Sequence, residues 1–144
     1  MSNLENKNII VTGASGGIGN SIIKKLNGAG ANILASGTKI EKLEDLKKNF
    51  KKIKILKFDI SQSDNIEEFI ENATKELGGN LDGIINNAGI TQDNLAIRMK
   101  LDEWEKVINI NLTSTFLMSK FAIKKMLKNK SGKKIGRASC RERV

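Results

Sequence analysis

Short apolar, β-branched runs alternate along this chain with stretches whose apolar residues recur every three or four positions. That is the pattern of βαβ units wound around a parallel sheet. Asn8 to Thr12 (NIIVT) is continuous and β-branched, as expected of a strand covered on both faces. Gly17 to Gly28 predicts a helix with Ile18, Ile22, Ile23 and Leu26 inward. Ala31 to Ser36 predicts a second strand, Lys39 to Phe50 a second helix with Ile40, Leu43 and Leu46 on one face, and Lys54 to Asp59 a third strand. Ser63 to Leu77 predicts a third helix, opened by Ser63 and carrying Glu67 and Glu68 where carboxylates suit the helix dipole. Asp82 to Asn87 (DGIINN) predicts a fourth strand. Beyond it the pattern turns helical. A short helix is expected over Asp93 to Lys100, then a long one over Leu101 to Lys128 with Trp104, Ile108, Asn111, Thr115, Met118, Ala122 and Met126 as its buried stripe. A fifth strand is due after Gly132, but no pattern for one follows, which leaves the fourth strand as an open apolar edge.

Composition narrows the chemistry. A length of 144 residues fits one domain of about 100–150 residues. No apolar run reaches the roughly 18–20 residues that cross a bilayer, and the opening MSNLENKN has neither the basic nor the apolar region of a signal peptide, so no membrane and a cytoplasmic location are expected. With no His and one Cys, a His-based triad, a zinc site and an internal disulfide are excluded. The net charge of +9 raises nucleic acid as a partner, but the lysines are spread along the chain among acids. Only five Phe and one Trp are present to stack on bases, so no nucleic-acid partner is expected.

The charge is also uneven in kind. Three of the four arginines lie in the last ten residues, Ile135 to Val144 (IGRASCRERV). This segment matches the translation of a common sequencing adapter, and the preceding adapter bases fit a codon for Lys134. Residues 1–133 are therefore expected to be native and 134–144 to be adapter read-through, excluded from fold reasoning. Without its three Arg and one Glu the net charge falls by two, and Cys140 has no role as a reactive thiol.

The first candidate site is the run Thr12-Gly13-Ala14-Ser15-Gly16-Gly17-Ile18-Gly19, set directly between a predicted strand and a predicted helix. Gly13 permits a tight turn out of the strand, Gly17 lets backbone approach a pyrophosphate, and Gly19 allows close packing of helix on strand. Free N–H groups at the helix start face the phosphates in such an arrangement. A dinucleotide site is the expectation. The second is Asn86-Asn87-Ala88-Gly89, closing the fourth strand.

With both motifs in place, TGxxxGIG and NNAG, the chain resembles the short-chain dehydrogenase/reductases over essentially all of residues 4–133. The run Asn87 to Leu95, followed by Arg98-Met99, is similar to the 3-oxoacyl-[acyl-carrier-protein] reductases within that family. The resemblance implies a Rossmann-type, doubly wound α/β sheet of order 3-2-1-4, here cut off after the fourth strand and the long helix, and a bound NADP(H) that delivers hydride to a ketone. It assigns Gly13, Ala14, Ser15, Gly16, Gly17, Ile18 and Gly19 to the phosphate turn, Asp59 and Ile60 to the adenine, and Asn87, Ala88 and Gly89 to the wall beside the adenosine ribose. The two asparagines are equally expected to brace the central strands. An acidic residue at the end of the second strand would repel a 2′-phosphate; Ser36-Gly37-Thr38-Lys39 offers none before Glu41, so Thr38 and Lys39 favour NADP(H), although many NADP-dependent relatives carry a basic residue where Gly16 stands.

Asn111 interrupts the stripe of the long helix, where a buried amide needs partners. The resemblance makes it the residue that kinks the helix and holds a water in a proton relay. The family's Tyr-x-x-x-Lys acid and its substrate-orienting Ser are not carried over: the sequence has no Tyr at all. An inactive piece of a longer reductase is therefore expected, the parent forming a homo-tetramer. Lys124, Lys125, Lys128 and Lys130 either complement the helix dipole or attract an acidic acyl carrier protein. Another short-chain reductase acting on a sugar, alcohol or quinone, and a non-catalytic nucleotide-binding module, are the alternatives.

Overall fold

A computed structural model describes residues 3–50 and 52–128, together with the backbone of 133–135. Strand β1 (Asn8–Val11) leads into helix α1 (Gly17–Gly28), β2 (Asn32–Gly37) into α2 (Ile40–Asn49), and β3 (Lys54–Lys57) through a 3-10 turn (Ser63–Asn65) into α3 (Ile66–Glu76). After β4 (Gly83–Ile85), helix α4 (Leu101–Ile108) passes through a π-helical turn (Asn109–Thr113) into α5 (Ser114–Lys128), and β5 (Lys133–Ile135) follows. The strands form one parallel sheet of order β3-β2-β1-β4-β5.

Alternation along the central strands divides the core in two. Ile9, Val11, Ile33, Ala35 and Ile85 face α1 and α2, joined by Ile23, Leu43 and Leu46. Ile10, Leu34 and Ile84 face α3 and α5, joined by Ile66, Ile70, Met118 and Ala122. Burial on both faces accounts for the unbroken apolar runs of β1 and β2. Phe58 stacks on Phe69 with ring centroids 4.4 Å apart, tying the end of β3 to α3.

The α/β class and the order 3-2-1-4 are as the sequence predicts, and several local expectations are corrected. A strand does follow the long helix. Lys133–Ile135 pairs with Gly83–Ile85, so β4 is not an edge. Ladder hydrogen bonds come from the backbone, which is why a segment with no β pattern of its own can form them. Residues 136–144, most of the expected adapter segment, lie outside the described residues. The expected helix over 93–100 reduces to one turn, in which the Leu95 carbonyl accepts from the N–H groups of Arg98 (2.8 Å) and Met99 (2.9 Å). Every residue from 91 to 98 is exposed, so no buried face stabilises further turns.

The long helix is broken by its π turn, which shifts the inward face: Ile110, Ser114, Met118, Ala122 and Met126 are buried, whereas Trp104 is 55% exposed. Ile18, expected inward, is 72% exposed because it sits in the first turn of α1 at the mouth of a cleft. Strand β4 ends at Ile85 rather than Asn87, since the Asn87 N–H leaves the ladder for the Thr12 hydroxyl at 3.2 Å.

Candidate functional site

The C-terminal ends of β1 to β4 open on a cleft of about 420 Å³. The glycine-rich turn forms its floor. Gly13 adopts φ +63°, in the left-handed region, and a Cβ there would stand 2.8 Å from the Ala88 backbone. Gly19 lies so close beneath the turn that a Cβ would run into the Gly13 carbonyl. A Cβ on Gly17, by contrast, would meet nothing within 4 Å: the space above it is open toward the cleft. Gly13 and Gly19 pack the turn, and Gly17 leaves room for a ligand against the backbone.

The start of α1 has no capping side chain and no acid in its first turn. The first turns of α2, α3 and α4 each carry acids, Glu41, Glu67 and Glu68, and Asp102 and Glu103. The first N–H groups of α1 have no intrahelical acceptor and face the helix dipole's positive end outward, which suits a bound anion. The remainder of the cleft is bounded by the Phe58–Ile60 rim after β3 and the Asn87–Ile90 wall after β4.

Thr12, which opens the glycine-rich run without a contact of its own assigned from the sequence, organises that wall. Its N–H donates to the Ile85 carbonyl (3.0 Å), and its hydroxyl oxygen accepts from the N–H groups of Asn87 (3.2 Å) and Ala88 (3.1 Å). Asn87 Nδ2 donates to the Gly13 carbonyl at 3.1 Å, linking wall to floor. Asn86 points the other way, donating to Ser119 Oγ of α5 at 3.0 Å, while its Oδ1 is buried without a partner among the described residues. Both asparagines therefore brace the sheet, and Asn87 lines the cleft as well.

The π turn is held against the cleft from three sides. Asn109 Nδ2 reaches the Ser61 carbonyl (3.4 Å), Ser114 Oγ donates to the Ile60 carbonyl (2.5 Å), and Asn111 pairs with the Ile90 backbone in both directions, accepting from its N–H (2.9 Å) and donating to its carbonyl (2.8 Å). The Asn111 amide thus satisfies itself on the residue that begins the loop after the wall.

Of the residues expected at the cofactor, Gly13, Ser15, Gly16, Gly17, Ile18, Gly19, Thr38, Asp59, Ile60, Asn87, Ala88 and Gly89 line this one cleft. Ala14 and Lys39 do not. Ala14 is fully buried against the α1–α2 core, with its N–H on the Ser36 carbonyl at 3.0 Å. Lys39 stands exposed as the residue before α2. The lining also includes Ser36 and Gly37, which stand in the run expected to choose the cofactor, Ile90 of the run after the fourth strand, and Phe58 and Ile110, to which the sequence attaches no site signal.

Among the described residues no helix is long and apolar enough to cross a membrane. The chain is 39% identical over 140 residues to a 3-oxoacyl-[acyl-carrier-protein] reductase FabG of Rickettsia conorii, covering 96% of this chain and 56% of that protein. It is 38% identical over 131 residues to the protein of the same name in Buchnera aphidicola, covering 90% and 53%, and 35% identical over 134 residues to Nodulation protein G of a Rhizobium species, covering 92% and 54%. The chain spans about half the length of the curated relatives it matches. The family described as short chain dehydrogenase matches residues 7–141, nearly the whole sequence. With this match and a Rossmann-like parallel sheet closing on a glycine-floored cleft, the chain belongs to the short-chain dehydrogenase family of NAD(P)(H)-dependent oxidoreductases.

Proposed function

We propose that the whole protein reduces 3-oxoacyl groups on acyl carrier protein with NADPH, in the cytoplasm, and that this chain is its cofactor-binding half. The observation that carries the reading is the cleft itself: an uncapped, acid-free helix start over a glycine floor, joined to the Asn87–Gly89 wall. The names of the relatives favour the acyl carrier substrate over a sugar, alcohol or quinone.

Gly13, Ser15, Gly16, Gly17, Ile18 and Gly19 would hold the pyrophosphate, Asp59 and Ile60 the adenine, and Asn87 to Gly89 the ribose. NADP(H) supplies a hydride when bound. Ser36 and Thr38 at the end of β2, with Lys39 just outside the cleft, offer hydroxyls and a cation to a 2′-phosphate and no carboxylate against it. In this reading Asn111 fixes Ile90 and, through the π turn, aligns a proton path to a Tyr and Lys that a longer chain supplies. Residues 134–144 remain adapter read-through in this reading, a point that resequencing the locus decides.

Two partners belong to the proposal. Lys124 and Lys125 are already paired with Glu67 (2.8 Å) and Glu71 (2.7 Å) of α3, so docking of an acidic carrier protein falls to Lys128; Lys130 lies outside the described residues. Leu112, Phe116 and Leu127 are more than 60% exposed along α5 and the π turn, with acids near the start of α4 and lysines near the end of α5. That arrangement favours antiparallel pairing with a second copy in a homo-tetramer.

Titration of the chain with NADPH and NADH, followed by cofactor fluorescence, is expected to show at least about tenfold tighter binding of NADPH, equivalent to about 1.4 kcal/mol. A preference for NADH overturns the cofactor assignment. With an acetoacetyl thioester the 144-residue chain is expected to show no NADPH oxidation, because it has no Tyr to act as acid; turnover by this chain overturns the division of labour.

A further inference from the structure

Residues 91–99 form a strap between β4 and α4 that adjoins the cleft through Ile90. Residues 91–98 are exposed throughout, and Leu95 and Ile97 are 60% and 92% exposed, so no apolar packing holds the strap down. It is fixed instead by polar anchors at its two ends. Asn111 grips Ile90 at one end. At the other, the Glu103 carboxylate in the first turn of α4 gathers three donors: Oε2 accepts from the Lys100 N–H (2.8 Å) and from Asn94 Nδ2 (3.4 Å), and Oε1 accepts from Gln92 Nε2 (3.2 Å).

We propose that Glu103 is a positioning residue whose carboxylate latches the 91–99 strap onto α4 and so sets the lip of the cleft at Ile90. Only a two-oxygen anion accepts all three donors at once; the amide of glutamine offers one acceptor oxygen and turns a second donor on the other. The ionised form is also the better acceptor. The Lys100 N–H, and after it Gln92, holds the Glu103 carboxyl below its usual range. The charged residues of the two elements that the latch joins are Asp93 and Arg98 on the strap and Asp102, Glu105 and Lys106 on α4, with Lys100 between the two. Of these, Lys100 is the charge that favours the ionised form. The folded value lies below that of a free carboxylate, so the latch is fully engaged above the ordinary carboxylate range and is released as pH falls through the lowered value. The proposal rests on the cofactor reading of the cleft only where NADPH is used to probe it.

The test is hydrogen exchange read by mass spectrometry on the 144-residue chain. In Glu103→Gln, peptides covering 91–100 are expected to exchange at least about tenfold faster at neutral pH, while β1 and β2 peptides keep their native rates. In the native chain the same peptides lose protection on acidification, after correction for intrinsic rates, and in Glu103→Gln they do not. Gln92→Ala, which removes a single donor, gives an intermediate effect. NADPH slows strap exchange in the native chain and slows it less in Glu103→Gln. Equal strap exchange in native and Glu103→Gln chains overturns the latch. NADPH binding that leaves strap exchange unchanged overturns its link to the cleft. If the variants behave as expected but NADPH does not bind, the latch stands and the cofactor reading falls.

Discussion

The two ends of the central strands solve opposite problems with the same kinds of residue. At the end away from the cleft, polar groups are matched one for one. Asn8, 8% exposed, donates through Nδ2 to the carbonyls of Leu77 and Asn80 (both 2.9 Å) and accepts from Asn32 Nδ2 (3.0 Å). Its N–H is held by the Asp82 carboxylate at 3.0 Å, which also pairs with Lys7. At the cleft end, Thr12 and Asn87 satisfy only the backbone that shapes the wall, and the first N–H groups of α1 are left open over Gly17. Polar groups in this fold serve closure at one end of the strands and availability at the other.

If that division holds, substitutions at the two ends separate stability from cofactor binding. The largest effect is expected at the cleft floor. Gly13→Ala places a side chain in the left-handed region, at a cost of roughly 1–2 kcal/mol, and sets its Cβ 2.8 Å from the Ala88 backbone, so the wall must move. NADPH affinity is expected to fall at least about 100-fold, by the relation of about 1.4 kcal/mol to each factor of ten, and the urea midpoint to fall with it. Native affinity in a Gly13→Ala chain would show that floor and wall are not coupled. Next comes Asn8→Ala, which strips three part-buried hydrogen bonds and leaves the Leu77 and Asn80 carbonyls without that donor, a loss of about 1–3 kcal/mol in urea unfolding. Its NADPH affinity, measured under conditions where the chain is folded, is expected to equal the native value. A weakened affinity there would make the far end part of the site.

Both ends were unequally legible in the sequence. The apolar runs NIIVT and ANILAS and the turn Thr12 to Gly19 are local signals, carried by period, β-branching and glycine spacing, and they locate β1, β2 and α1 within a residue or two. Asn8 carries no such signal, since its partners lie 24, 69 and 72 residues away. Thr12 is the same case: its hydroxyl acts on Asn87 and Ala88, 75 and 76 residues on. The π turn lies where the resemblance puts a kink, at Asn111, but the apolar period alone does not show it. One extra residue per turn leaves the apolar spacing on either side intact but rotates one half against the other, so a continuous stripe through Trp104 fits the sequence while the fold buries Ile110 and Ser114. Asn111 was legible as an amide that needs partners, but not as one that finds both on Ile90.

The smallest expected effect lies between the two ends, where α3 meets α5. Lys125 Nζ stands 2.7 Å from Glu71 Oε1 and Lys124 Nζ 2.8 Å from Glu67 Oε1, all at least partly exposed. The hydrogen bond from Lys125, reinforced by its charge, holds the Glu71 carboxyl below the ordinary glutamate range. A carboxylate whose folded value is depressed binds its proton more readily in the unfolded chain, so it adds stability above the unfolded value and loses it as pH falls through the folded one. Glu71→Gln is therefore expected to flatten the acid limb of the curve of stability against pH slightly and to leave neutral-pH stability nearly unchanged, as exposed pairs do. Added salt should shrink the native slope toward that of the variant. Urea midpoints across the acid range at low and high salt check both points, and Asn8→Ala serves as the contrast: losing its part-buried neutral hydrogen bonds shifts every midpoint and leaves the acid slope alone. An acid slope that survives in Glu71→Gln at low salt would place the pH-sensitive contact elsewhere in the helical layer.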